Sequence, residues 1–154
     1  MCDVVSRLTF SECRVFSPSL ENAKCVKVND ASTFYLAIVM SPPYGPVVFP
    51  CKLVGVTVPD IRSSQSHTKT LARIGKDYVR GIIMNKIVSA RISGRDKYGR
   101  YLVRVYVASQ AETDVATMLI QKGLAVSQQD GQLRSHVDWA RMLDEYMQRG
   151  ISME

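Results

Sequence analysis

KLVGVTVPDI, residues 52–61, sets a basic residue and a carboxylate at the two ends of an apolar run. Strand alternation puts Lys52, Val54, Val56, Val58 and Asp60 on one face, and Leu53, Gly55, Thr57 and Ile61 on the other. A straight strand would hold Lys52 and Asp60 roughly 26 Å apart, at about 3.3 Å per residue. The two charges meet only if the chain turns sharply between them, and Gly55 and Pro59 are the residues that permit a bulge and a strand end. The stretch is thus either a core strand with solvated charged ends or one wall of a site.

The chain around it has 154 residues, 46% of them hydrophobic, enough for one globular core and short for two. Its organisation reads as an extension over residues 1–22, a domain over 23–148 and a tail over 149–154. Cys2, Cys13, Cys25 and Cys51 are scattered with no CxxC pair, and His67 and His136 lack neighbouring ligands, which argues against zinc. Asp3 and Arg7 interrupt what would have to be an apolar leader, and no run approaches a membrane span. The expectation is an intracellular protein, cytoplasmic or nuclear, with reduced thiols and no membrane partner.

Strand signals fall near residues 24–29, 33–40, 46–58, 86–93 and 100–107, with an amphipathic helix between the third and fourth. Two helices follow. One is capped by Thr113, followed by Asp114, and ends at Gly123; the other, over residues 132–148, places Leu133, Val137, Ala140 and Leu143 at helical spacing, with Trp139 expected in the core. Three strands, a helix, two strands and two helices is how an α+β chain threads a five-stranded OB-fold barrel.

Net charge is +6, unevenly spread. Residues 62–104 hold eleven Lys or Arg against Asp77 and Asp96, a net of +9, while everything else sums to −3. Lys69, Arg73, Lys76 and Arg80 recur at helical spacing, opposite Leu71, Ile74, Tyr78 and Ile82. Such a stripe is either the solvated side of an amphipathic helix or a surface facing phosphates.

VNDASTFYL, KLVGVTVPDI, DKYGRYLVRVYV and VATMLIQKGLAV, spread over roughly residues 24–147, together resemble the staphylococcal nuclease-like family. That resemblance implies phosphodiester hydrolysis by two arginines, a glutamate beside the attacking water, and a calcium ion held mainly by two aspartates. Here Arg100 keeps the arginine after the DKYG turn, Lys52 stands at the other arginine position and Asp60 at the glutamate position. Lysine cannot form the bidentate fork, and aspartate is one methylene shorter. The metal positions correspond to Ser32 and Thr57, with Asp30 two residues upstream, so no calcium or other cofactor is expected.

Three functions compete. The leading one is a degenerate nuclease-like domain binding nucleic acid through Lys52, Arg91, Arg95, Lys97, Arg100 and Arg104, with Tyr98, Tyr101 or Tyr106 available to stack a base. The second is an active phosphodiesterase of altered metal dependence, using Lys52, Asp60 and Arg100. The third is a scaffold for a protein partner. For Arg100 a plain hairpin role, bonding loop carbonyls, stands equally beside the functional one.

Overall fold

Alternating apolar residues give each long strand one face to bury, and the strands close that face inward. In the computed structural model, which describes residues 2–14, 19–107, 113–128 and 134–152, a short helix α1 (Cys2–Ser6) precedes β1 (Ser19–Val28), β2 (Thr33–Met40), β3 (Gly45–Leu53) and β4 (Val56–Thr57). Then come α2 (Ser66–Ile83), β5 (Ile87–Arg95), β6 (Tyr101–Val107), α3 (Val115–Gln121), β7 (Val126–Ser127) and α4 (Trp139–Ser152). Five strands form a closed barrel in the order β1-β2-β3-β6-β5, with β5 pairing back onto β1. All neighbours are antiparallel except β3 and β6, which run parallel with Cys51 opposite Tyr101 and Lys52 opposite Leu102. This is the expected α+β OB-fold, with α2 between its third and fourth barrel strands.

Inside lie Cys25, Phe34, Leu36, Cys51, Leu53, Val103 and Val105, each 1% exposed or less. Each large apolar side chain so buried contributes about 1.5–3 kcal/mol. Leu71, Val79 and Ile83 of α2 and Val115 and Leu119 of α3 join the same core, and α4 packs on α2. Trp139 is buried as expected, its indole N–H donating to the Arg134 carbonyl at 3.1 Å.

The opening stretch does not run as one strand. β3 stops at Leu53; Gly55 turns the chain with φ +78°, and β4 leaves the barrel to pair with β7. Only glycine takes that φ without strain. The reset changes the alternation: Leu53, Val56 and Val58 are all buried, so the two-face assignment from the sequence holds only up to the bend.

Other boundaries move as well. β1 begins at Ser19, opposite Arg91, so the barrel includes residues 19–22, which the sequence reading gave to the extension. Asp114, not Thr113, caps α3: its carboxylate accepts the Thr117 N–H at 3.0 Å and the Arg104 Nη1–H at 3.1 Å. Burial alone would raise the Asp114 pKa, but these bonds and the Arg104 charge hold it below the usual carboxylate value. At the other end Gly123, φ +74°, closes a Schellman motif in which Leu124 N–H donates to Leu119 O and Gly123 N–H to Ile120 O. A 3-10 turn at Arg134–His136 precedes α4, which starts at Trp139 rather than 132 and continues to Ser152; Leu133 lies outside the described residues. Among the described residues no helix is long and apolar enough to cross a membrane.

Candidate functional site

The bend at Gly55 and the strand end at Pro59 return the chain, so Lys52, Asp60 and Arg100 all line one cleft of about 800 Å³. The register explains how. Lys52 sits opposite Thr33 of β2 and Leu102 of β6, and Arg100 immediately precedes β6. The β1–β2 turn adds Asp30, Ser32 and Thr33 to the wall, and Lys27, Arg62, Lys76, Tyr98 and Arg134 complete its charged and aromatic lining.

Arg100 is held by its own turn. The Asp96 carboxylate accepts the Tyr98 and Arg100 backbone N–H groups, each at 2.9 Å, and the Arg100 Nε–H at 2.7 Å. Gly99, φ +83°, makes this loop geometry possible. Burial pushes the Asp96 pKa up, yet the bonds from Arg100 and Tyr98 and the Arg100 charge outweigh it and the carboxyl lies below its usual range. With Nε committed to Asp96 and the guanidinium 5.3 Å from the Tyr98 ring, the outer η nitrogens are those able to meet an anion. The bond therefore goes to a carboxylate, not to loop carbonyls.

Lys52 is half-buried, and its pKa is lowered first by burial and then by the positive charges of Arg100 and Arg134; Asp96 and Asp30 partly offset them. Asp60 accepts the Arg62 N–H at 2.9 Å on one oxygen and has Arg134 Nη1 at 3.8 Å from the other. Arg134 is the functional candidate missed in the sequence. It lies outside the basic segment, in a 3-10 turn without periodicity, so only the tertiary fold brings it to Asp60.

Asp30 is spent on its turn: Oδ1 accepts from Ser32 N–H at 2.8 Å, Ser32 Oγ–H at 3.2 Å and Thr33 N–H at 2.9 Å. Ser32 is buried, and Thr57 pairs with Val126 on the small second sheet. Among the described residues no three His, Cys, Asp or Glu side chains are grouped to hold a metal ion.

The remaining cations divide. Arg95 and Lys97 sit at the 95–101 hairpin, over the Tyr101 and Tyr98 rings at 4.9 and 5.2 Å. Arg91 lies 5.9 Å from the Tyr106 ring in a separate groove with Ser19 and Glu21, and Arg104 is tied to Asp114, so these two are not brought to the cleft. Of the helical stripe only Lys76 lines the cleft; Lys69, Arg73 and Arg80 are exposed. Among the described residues the cleft nonetheless gathers six cations against two carboxylates, and both carboxylates are already engaged. Such a surface suits a multiply charged anion such as a phosphate.

The family model described as staphylococcal nuclease homologue matches residues 50–145, and the chain belongs to that family. The matched span contains Lys52, Asp60, Arg100 and Arg134 and leaves out the Asp30–Ser32 turn. Compared with curated proteins, the chain matches none.

Proposed function

We propose that this domain binds nucleic acid by its phosphates in the cleft between Lys52, Arg100 and Arg134, and that its phosphodiesterase site is degenerate. The observation that carries this reading is the concentration of cations in one cleft whose two carboxylates, among the described residues, both already have partners. Arg100, oriented by Asp96, offers its η nitrogens, Lys52 adds a point charge, and Arg134 supplies a second guanidinium where lysine has replaced the family's arginine.

Calcium does not fit these residues. The ion needs several hard oxygen ligands, with carboxylates supplying most of the charge. Asp30 Oδ1 is closed by three donors, Asp60 faces Arg134, and the charges of Arg100 and Arg134, which add to burial in lowering the Lys52 pKa, tell against a further cation beside it. A general base at position 60 would likewise need a carboxylate aimed at water, whereas Asp60 accepts the Arg62 N–H and pairs loosely with Arg134.

The test is to titrate the protein into single-stranded and duplex DNA and RNA at low and high salt, with and without calcium, while following strand integrity. Salt-sensitive binding without cleavage is expected. Cleavage would establish the phosphodiesterase reading with Lys52, Asp60 and Arg100 instead, and absence of binding even at low salt would leave the protein-scaffold reading. Arg95, Lys97 and Tyr98, at the hairpin beside the cleft, extend the expected footprint; Arg91 and Arg104 should contribute only to the long-range field.

A further inference from the structure

Residues 31–51 hold no Asp, Glu, Lys or Arg, although 22% of the chain is charged. They include all of β2 and most of β3, whose register sets Tyr35 opposite Pro50, Ala37 opposite Val48 and Val39 opposite Pro46. Phe34, Leu36 and Cys51 are buried in the barrel, so strand alternation turns those six residues to the outer face. Val39 and Val48 are 81% and 56% exposed there, and Tyr44, in the turn, is 69% exposed. The neighbouring strands do not reach this end of the hairpin: β1 pairs with β2 only as far as Ala37, and β6 with β3 only from Cys51. The edge so left open is poorly suited to taking another strand. Leu53 N–H donates to Ser32 O on the β2 side and Val54 N–H to Val103 O of β6, so Pro46, Val48 and Pro50, in phase with Val54, face the side where β6 is missing, and the two prolines have no N–H to offer. What remains is an apolar face that the phosphate-binding reading does not use.

We propose that the outer face of the β2–β3 hairpin is a homotypic interface, on which the same face of a second copy of this chain packs about a two-fold axis. Exposed apolar patches of this kind mark contact surfaces. Charge identifies the occupant. The chain carries +6, so two copies repel, and this face lets them meet without opposing like charges; an acidic partner would gain nothing from a face that holds no cation. A flat apolar face is complementary to itself, as a two-fold contact requires. The nearest cations fix the orientation. Lys24 lies beside Ala37 on β1, while Lys27, over the Tyr35 ring, and Lys52, beyond Pro50, lie toward the base. An axis along the hairpin lays β2 of one copy over β3 of the other, so Lys24 of each copy comes to the open edge beside the other's Val48 and meets no like charge. Eight residues per strand at about 3.4 Å, and two strands about 4.8 Å apart, make a face roughly 27 Å by 10 Å. That is well under the roughly 800 Å² per partner of a standard interface, so the dimer is weak and reversible.

Sedimentation velocity of the full chain without nucleic acid, from micromolar to near-millimolar concentration, tests this. The unmodified protein should pass reversibly from monomer to dimer. Val48→Lys, at an exposed position, sets a new lysine beside Lys24 of the second copy and should weaken dimerisation by more than roughly tenfold with little change in Tm. Adding Lys24→Glu to Val48→Lys should restore the dimer, because each copy's new carboxylate then meets the other copy's new lysine; within one chain β2 separates the two positions. A protein that stays monomeric at every concentration overturns the proposal, and that measurement needs no variant to fold. A dimer indifferent to Val48→Lys overturns it too. Loss in Val48→Lys without recovery in the double variant would overturn the two-fold pairing and assign the face to another contact, and an unmodified monomer that sediments with phosphatidylcholine vesicles would give the face to lipid instead. None of these outcomes bears on the phosphate cleft.

Discussion

Removing the Asp60 charge should strengthen binding of single-stranded nucleic acid, the reverse of what a catalytic carboxylate implies. Asp60 and Arg134 lie 3.8 Å apart, with side chains 48% and 44% exposed. Two unit charges at that separation attract by about 1 kcal/mol in water and about 4 kcal/mol at an effective dielectric of 20. Half-exposed groups belong near the lower figure, since measured surface pairs contribute about 0–1 kcal/mol. Asp60→Asn should thus cost under about 1 kcal/mol of stability, while an incoming phosphate no longer competes with the carboxylate for Arg134. The gain is at most about 1 kcal/mol, or roughly fivefold in affinity at low salt, and shrinks as ions screen the site.

Fluorescence anisotropy with a labelled single strand at about 50 and about 200 mM salt would measure both terms. If Lys52, Arg100 and Arg134 each neutralise one phosphate, affinity of the unmodified protein should fall roughly 15- to 20-fold between those concentrations, from a slope of about −0.7 per contact. Arg134→Gln should flatten that slope by about 0.7 and abolish the benefit of Asp60→Asn in the double variant. An Asp60→Asn protein that binds no more tightly at low salt would refute the role given to the pair. The same gain in the Arg134→Gln background would show that Asp60 repels phosphate without holding Arg134.

Lys52 should lose its proton at lower pH than a surface lysine, so affinity should decline early on the alkaline side; Lys52→Arg should hold its affinity there, and parallel pH profiles for the two proteins would contradict this. Asp114→Ala removes the α3 cap and the Arg104 pair, and should lower stability by about 1–2 kcal/mol and Tm by roughly 3–8 °C in calorimetry near neutral pH. Because the folded pKa of Asp114 is depressed, its contribution is complete above the ordinary carboxylate pKa and is lost as pH falls through the folded value, so the two melting curves should converge in acid. Gly81, exposed in the last turn of α2 with open space where a Cβ would go, should accept Ala with a gain of about 0.5–1 kcal/mol; a fall in Tm would mean the helix end is strained.

The barrel was legible because its signals are local. Strand alternation, the gap that α2 fills and the DKYGR turn each depend on residues within a few positions, and Asp96 organising Arg100 is a bond across four. What escaped depends on distant packing. Arg134 reaches Asp60 from 74 positions away, a pairing no local pattern encodes. Lys76 alone of the basic stripe lines the cleft, since α2 takes its orientation from Leu71, Ala72, Gly75, Val79 and Ile83 seating in the core. Arg104 looked available because strand alternation points it outward, but the partner that engages it, Asp114, lies ten residues on in another element. The cap moved by one residue because Thr113 and Asp114 are both good caps, and only the position of Thr117 decides between them.

The parallel contact between β3 and β6 governs when the cleft can exist during synthesis. Leu53 N–H donates to Ser32 O at 2.8 Å and Val54 N–H to Val103 O at 3.0 Å, so backbone bonds on the C-terminal side of Lys52 fix its place whatever side chain position 52 carries. One of those two anchors, Val103, is made 51 residues after Lys52 emerges. A nascent chain that has not yet reached Tyr101 therefore carries Lys52 on an open sheet edge, with no β6 to set it beside Arg100. The gathered positive charge of the cleft therefore appears only when the ring closes, and until then its lysines and arginines stay dispersed along the growing polypeptide.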